Sequence, residues 1–480
     1  MPNLINEKYI NSDVKNLFET VVEGGYCIGC GACASVEGSP IVMQLDEFSM
    51  LKATVNPRIV KDELNIDIQS ICPFSNSSSN EDVIGKSLYE KYGTPNNKLG
   101  YYISTYAGHV LEGDFRKQGS SGGMGSWIAS ALLKANLVDS VIHIHQRKPT
   151  DNDKRLFHYQ ISTTVEEISN SAKSRYYPVE LSEMISLIRS RPGKYAIVGI
   201  PCFIKSVRLL SNQDSVIADR VTFCIGLICG HLKSTRFAEL FAWHCDVHPS
   251  NLQSIDFRKK LDGHGANKYG VSVTGINENN ARITKVSPPI NQLYGANWGF
   301  GFFKYKACDY CDDVVAETAD VTIGDAWLPQ YVNDSQGTNV IIIRHPVIQN
   351  LFDKAQSDNL ISIESISPNE VIKSQSSGFQ HRREGLAYRL FKADESKVWR
   401  PKKRVTPEYN EALSSKQDLR IEMSELSHYA FNRALEKNDF SEFEKTMRPV
   451  VRKYQILYRK PFSIRVLDKI KDIFSRVSNR

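Results

Sequence analysis

The middle of this chain is predicted to adopt an α/β fold on a mixed central sheet, with a small cysteine-rich segment before it and a mainly helical region after it. Three observations predict this. Apolar strand patterns alternate with helical ones from about residue 100 to 375. Three cysteines crowd into residues 27–33, and Lys and Arg accumulate towards the C-terminus. The expected units are residues 1–80, 100–375 and 376–480, and 480 residues suffice for about two to four domains.

The composition is that of a globular protein, with 41% hydrophobic and 24% charged residues. No apolar run approaches the roughly 18 residues of a membrane span. Residues 2–26 carry charges throughout and no apolar signal core, so the ten cysteines are expected in a reducing cytoplasm, serving as ligands. Asn76-Ser77-Ser78 matches a glycosylation acceptor, which means little in that setting.

The first unit reads Y-C-I-G-C-G-A-C-A-S-V from Tyr26, placing Cys27, Cys30 and Cys33 at two successive C-x2-C spacings. Three thiolates this close wrap one side of an iron–sulfur cube, and Gly29 and Gly31 let the backbone turn around it. A bacterial ferredoxin run would place a fourth cysteine near position 37, which here is Glu37. Cys72, in I-C-P-F, supplies it instead. In two-cluster ferredoxins the cysteine before proline serves the other cluster. The remaining ligands of a second run would stand at Asp62, Asn65 and Ile68, so one [4Fe–4S] cluster is expected in this ferredoxin-like segment. Zinc would want two C-x2-C pairs about 12–20 residues apart, which is not the pattern here.

A Ser/Asn-rich linker after Cys72 closes this unit, and a Tyr-rich stretch at 101–106 opens the next. Met124, Trp127, Ile128, Ala131, Leu132 and Ala135 recur at helical spacing. Strands are expected at 141–145 and 156–161, then a helix from the T-x-x-E capping box at Thr164 and another over 182–189. A buried strand at 195–200 ends in Pro201-Cys202 and leads into a further helix. Another strand, 221–228, leads to Cys229 and a helix over 234–245. Strands at 269–274, 281–285, 321–324 and 340–344 complete the region.

After Ser376 helical patches are expected around 383–391 and 421–436. Over 462–477 Phe462, Val466, Ile470, Ile473, Phe474 and Val477 share one helical face amid Lys and Arg. Residues 448–480 carry a local charge of +8 against +6 for the whole chain, so the basicity belongs to the tail. Such a helix packs on a partner or on itself; peripheral contact with an anionic membrane surface is the sharper alternative. No nucleic-acid recognition motif accompanies the charge.

A second cysteine set lies in the α/β region: Cys202, Cys224, Cys229, Cys308 and Cys311, with Cys245 read as core. Cys202 and Cys229 end apolar strands, where open α/β sheets bind ligands. Helix N-termini also favour thiolate. With the C-x2-C pair, four thiolates can converge from three loops. A small core residue is the other reading, and it fits Cys224, midway along a strand, better than Cys229.

Gly119-Ser120-Ser121-Gly122-Gly123 superficially matches the nucleophile elbow of hydrolases, but its approach, G-D-F-R-K-Q, is polar where that elbow needs an apolar strand. An anion cradle at a helix start is the better reading. No G-x-G-x-x-G or Walker pattern occurs.

Taken together, C-x2-C-G-A-C, the S-S-G-G turn, S-A-K-S-R-Y at 171–176, G-I-P-C at 199–202, L-I-C-G-H at 227–231, D-F-R-K-K at 256–260, C-D-Y-C at 308–311 and A-D-V-T-I-G-D-A-W at 319–327 resemble the beta subunits of coenzyme F420 (deazaflavin) hydrogenases and dehydrogenases, over roughly residues 20–375. The resemblance implies a cytoplasmic oxidoreductase in which FAD exchanges electrons with iron–sulfur clusters and with a redox partner such as ferredoxin or a catalytic subunit. It implies Ser120, Ser121, Gly122, Gly123, Lys173, Ser174 and Tyr176 as flavin contacts. It also implies a second [4Fe–4S] cluster at Cys202, Cys229, Cys308 and Cys311, beside that at Cys27, Cys30, Cys33 and Cys72. The first segment keeps ligands for one cluster where many relatives keep two, and the region beyond Ser376 matches nothing in the family. A non-catalytic electron relay docking on a partner enzyme is the alternative. No catalytic residue is named; Lys173 and His231 are the nearest candidates for a proton donor.

Overall fold

The computed structural model describes residues 12–56, 64–150 and 153–458. Its frame is an eight-stranded sheet of β1 (Ser104–Val110), β2 (Ser140–Gln146), β3 (Phe157–Ser162), β4 (Tyr195–Gly199), β5 (Val221–Leu227), β6 (Val321–Asp325), β7 (Asn339–Ile343) and β8 (Ile361–Ser365). The spatial order is β8-β1-β7-β6-β5-β4-β2-β3. Neighbours within β2-β4-β5-β6 run parallel, and every pairing outside that block is antiparallel. The sheet is thus mixed, as expected.

Both faces of the parallel block are covered, which is why its strands read as continuous apolar runs. Ile197 and Cys224 face one core, while Ala196, Phe223 and Ile225 face the other. On the second face lies α1 (Met124–Lys134), with Trp127, Ile128 and Leu132 buried. Trp127 packs edge-on against Phe352 with ring centroids 5.2 Å apart. On the first face α2 (Pro201–Ser211) begins with proline at its first turn, where the missing N–H has no intrahelical partner to lose. The helix Arg236–His244 buries Phe237, Leu240 and Phe241 in the same core. The capping box at Thr164 forms, with Glu167 as its reciprocal partner.

Three strands expected only in part, or not at all, complete the picture. β1 and β8 lie at one margin of the main sheet, and Leu252–Lys259 pairs with Gly270–Ile276, which pairs in turn with Arg282–Val286, in a separate antiparallel sheet. The first cysteine segment contributes a hairpin, Ile41–Leu45 with Leu51–Val55. Val14, Leu17, Ile41, Ile68 and Phe74 join the same core cluster as the sheet's first face.

The C-terminal region packs as an antiparallel helix pair, α3 (Glu411–Lys437) and α4 (Phe440–Ile456). Asn438 makes the turn in a left-handed conformation, and Asp439 caps α4 by accepting from Ser441 N–H. Met423, Phe431, Phe443 and Met447 are fully buried in the first core. Phe443 stacks on Phe303 at 5.6 Å, and Phe303 N–H donates to Ser427 Oγ at 2.9 Å. The helix expected over 462–477 lies outside the described residues, as does Asp62. No described helix is long and apolar enough to cross a membrane.

Candidate cofactor site

Cys27 and Cys30 are buried, and Cys33 and Cys72 half-buried, at the edge of the first core. The loop is held from several sides. Lys52 Nζ donates to Cys27 O at 2.9 Å, Leu181 N–H to Cys30 O at 2.9 Å, and Ala53 N–H to Cys27 Sγ at 3.5 Å. Gly31 has φ +81°, and a Cβ there would stand 2.9 Å from Ser182 N, so the turn tolerates no side chain. Burial, then the charge of Cys30 and Cys27, pushes the Cys72 thiol up to about 12. Burial, then Cys30, Cys27 and Cys72, raises Cys33 well above the ordinary thiol value.

Cys202, Cys229, Cys308 and Cys311 form a second group. Cys202 sits in the first turn of α2, Cys229 just beyond the end of β5, and the C-x2-C pair in and after the 3-10 turn Lys306–Tyr310. Leu232 N–H donates to Cys308 Sγ at 3.2 Å. Burial pushes Cys229 up to about 12, while the Arg382 guanidinium pulls it down and Cys308 and Cys311 add to the rise. Arg382 is 1% exposed, and its Nη2 donates to Gly230 O at 2.7 Å. Cys224 stands apart: it is inside β5, its N–H donates to Asp320 Oδ2 at 2.6 Å, and the neighbours that shift it are Arg208 and Asp320. Cys245 is fully buried, as expected of a core residue.

The two groups are neighbours. Cys202 is raised by burial, by Cys311, Cys229 and Cys308, and then by Cys30 of the first group. Burial, then Cys202 and Cys30, raises Tyr159. Tyr26, preceding Cys27, packs edge-on against Tyr310, between Cys308 and Cys311, at 4.9 Å. Among the described residues no three Cys, His, Asp or Glu side chains are close enough to hold a single metal ion.

Beside the second group opens a cavity of about 980 Å³, which Cys229 lines. Its wall includes the turn at 119–123 and the start of α1, where a Cβ on Gly125 would meet only open space. Ser120, Ser121, Gly123, Lys173, Ser174 and Tyr176 all line it. Ser174 N–H donates to Ser120 Oγ at 2.8 Å, tying the two loops together. Lys173 has φ +141°, a region L-residues rarely adopt, and pairs with Asp256 at 3.3 Å. Gly122 faces elsewhere: a Cβ there would stand 2.7 Å from Asn339 Oδ1 and 2.9 Å from Gly108 O, so its smallness serves packing against β1 and β7. Ser121 Oγ donates to Thr338 O at 3.1 Å.

Arg258 was not anticipated at this site. It is 3% exposed, pairs with Asp325 at 3.0 Å and lies 4.1 Å from the centroid of Tyr269. Its Nη1 donates to Tyr176 OH at 3.4 Å. Its signal was the motif D-F-R-K-K, whose arginine carried no assigned role. Tyr176 in turn meets Trp298 edge-on at 4.9 Å, and Lys233 Nζ lies 4.8 Å from the Trp298 ring.

Family models describe two stretches of the chain: the N-terminal region of the coenzyme F420 hydrogenase/dehydrogenase beta subunit over residues 105–186, and its C terminus over 193–369. The chain belongs to that family. A coenzyme F420-dependent sulfite reductase of Methanocaldococcus jannaschii is 22% identical over 396 residues, covering 77% of this chain. The chain spans only 53% of that protein's length. An uncharacterized protein of the same organism is 21% identical over 375 residues, covering 72% of this chain and 91% of that protein. Among solved structures, a chain of the F420-reducing [NiFe] hydrogenase complex from Methanosarcina barkeri matches with a TM-score of 0.46 at 16% identity, covering 66% of this chain and 100% of that one.

Within the family's span fall the turn at 119–123, the loop 171–176, Arg258 and the second cysteine group. The first cysteine group precedes it. His381, Arg382, Arg420, Val451 and Gln455, which also line the cavity, all follow it.

Proposed function

We propose that this chain is an FAD- and iron–sulfur-dependent oxidoreductase, with a [4Fe–4S] cluster in each cysteine group and the flavin in the cavity. One observation carries the reading: the two four-thiol groups adjoin where Tyr26, before Cys27, packs on Tyr310, between Cys308 and Cys311, and Cys229 of the second group opens onto the cavity. The donor chemistry supports it. Buried thiols that raise one another's pKa stay protonated unless a strongly cationic centre takes them as thiolates. Backbone N–H groups of Ala53 and Leu232 already point at sulfur, the hydrogen bonding that tunes such centres.

A flavin takes two electrons as hydride and releases them singly, which suits a partner cluster that carries one. The start of α1, with Gly125 leaving its backbone open, offers N–H groups to the cofactor's phosphates. Lys173 and Arg258 add positive charge close by, Arg258 held by Asp325 and Lys173 by Asp256. Tyr176 and Trp298 give a planar ring system its apolar walls. Cys33 and Cys72, half-buried, present the first group to a redox partner protein.

The experiment is anaerobic purification of the full chain with iron, sulfide and flavin quantitation. About eight irons per chain with one flavin is expected, and about four would mean a single cube. Clusters without flavin would make the chain an electron relay. Iron near zero after anaerobic reconstitution would sink the reading.

A further inference from the structure

The cavity has a wall that the family's span does not supply. Beyond residue 369, α3 contributes Arg420, α4 contributes Val451 and Gln455, and the helix Ser376–Arg382 contributes His381. These helices are anchored by the buried Met423, Phe431 and Phe443, so Arg420 is presented from a rigid element. Gln455 is exposed, which puts this wall at the cavity's mouth.

The wall is cationic and under-used. Lys233, Arg382 and Arg420 line the cavity here, and Lys173, Arg175 and Arg258 line it further in. Among the described residues Asp325 is the one carboxylate lining it, and Asp325 is already paired with Arg258. Arg420 makes no ion pair among the described residues, and its Nε is buried without a hydrogen-bond partner. His231 Nδ1 and His381 Nδ1 are likewise buried without hydrogen-bond partners, on residues 8% and 3% exposed, while His381 Nε2 lies 3.5 Å from Asp309 Oδ1. His231 and His381 meet edge-on at 5.1 Å, and His231 lies 5.8 Å from Trp298. Arg420, Lys233 and Arg382 therefore give this wall a positive charge that no lining carboxylate other than the paired Asp325 offsets.

We propose that the C-terminal helices complete a subsite for a small aromatic or planar organic anion, its oxyanion held by Arg420 and its body packed on Trp298. That this anion is the hydride donor or acceptor rests on the oxidoreductase reading above; that it binds does not. A guanidinium presents its donors in a planar fork matched to carboxylates. Trp298 supplies the apolar face, already bridged to the inner cavity through Tyr176.

The test is calorimetric titration of the full, anaerobically purified chain with benzoate, and with neutral benzamide as its uncharged counterpart. Benzoate should bind and benzamide should bind at least tenfold more weakly. Arg420→Gln should weaken benzoate about 10- to 100-fold, the loss expected for a charge-assisted hydrogen bond, and leave flavin and iron content unchanged. Gln455→Glu, at an exposed position where folding is not at stake, should weaken benzoate and spare benzamide. Absent benzoate binding, equal affinity for the two probes, or Arg420→Gln binding like wild type would each overturn the subsite. Arg420-dependent binding in protein that holds no flavin would leave the subsite standing and remove the oxidoreductase reading.

Discussion

The two cysteine groups bring four thiols together by opposite routes. The first takes three of its thiols from seven consecutive residues, Cys27 to Cys33, and a tight glycine turn does the gathering. The second takes its thiols from three loops that only the sheet brings together: the start of α2 after β4, the loop after β5, and the turn before β6. The first therefore depends on local backbone geometry and the second on strand order. Their electrostatics differ too. Lys52 reaches the first group through a backbone carbonyl, whereas the buried Arg382 sits beside the sulfurs of the second.

The largest effects should come from breaking one group and sparing the other. Cys308→Ser is expected to remove about four of about eight irons and to cut electron transfer from the cavity to the first group. Flavin should stay bound. Cys30→Ser should remove the same amount of iron but leave the second group in contact with the cavity. Iron analysis and low-temperature electron paramagnetic resonance of the two variants separate these outcomes. Identical residual signals would mean that the chain holds one cluster, shared between the groups.

Replacing Arg382 sharpens the electrostatic half of the contrast. On the two-cluster proposal, its charge would stabilise the more negative, reduced state of a centre held by the second group. Arg382→Met should therefore lower that centre's reduction potential, by roughly 60 mV for each tenfold change in a one-electron equilibrium. The first group's potential should move far less. A titration in which both potentials fall together would show that Arg382 acts on the fold and not on one site.

Local geometry makes a prediction of its own. Gly31→Ala puts a Cβ on a left-handed backbone and against Ser182 N, at a cost of about 1–2 kcal/mol before any clash. Iron bound by the first group should fall and thermal stability with it, while the second group keeps its iron. Unchanged iron in this variant would show that the turn is not what gathers Cys27, Cys30 and Cys33.

How much was legible in the sequence follows the same divide. Cys27, Cys30 and Cys33 were readable because spacing alone dictates their proximity. The second group was readable from strand ends and a C-x2-C pair as four thiolates that can converge, and as an ordered series of family motifs, since no spacing links Cys202 to Cys308. The choice between Cys224 and Cys229 was open from residue type, and strand length resolves their placement: β5 stops at Leu227, leaving Cys224 inside the sheet and Cys229 outside it. β1 was missed because S-T-Y-A-G-H-V, flanked by antiparallel neighbours, lacks the β-branched run of the central strands. Arg420 was missed for a harder reason: a lone arginine on a long amphipathic helix looks solvent-exposed until the helix is seen against the cavity.

The smallest expected effect concerns the cavity wall itself and distinguishes it from both groups. His143 lines the cavity, and its Nε2 lies 3.0 Å from His145 Nε2 and 2.9 Å from Ser162 Oγ. Two imidazole nitrogens this close require one N–H and one lone pair, so the two rings are never charged together. Burial, then His145, pushes His143 down to about 3, and burial, then His158, pushes His145 down to about 4. Both folded values lie below the unfolded one near 6.5. The unfolded chain therefore binds more protons between these limits, and stability rises with pH across that window. The contribution is complete above pH 6.5 and is lost as pH falls towards 3–4. The slope is at most about 1.4 kcal/mol per pH unit for each proton taken up. Replacing His143 with Gln should flatten the acid limb of a denaturant-stability profile between pH 6.5 and 4 while leaving the iron of both groups in place. An acid limb unchanged in that variant would assign the acid sensitivity to titrating groups other than the His143–His145 pair.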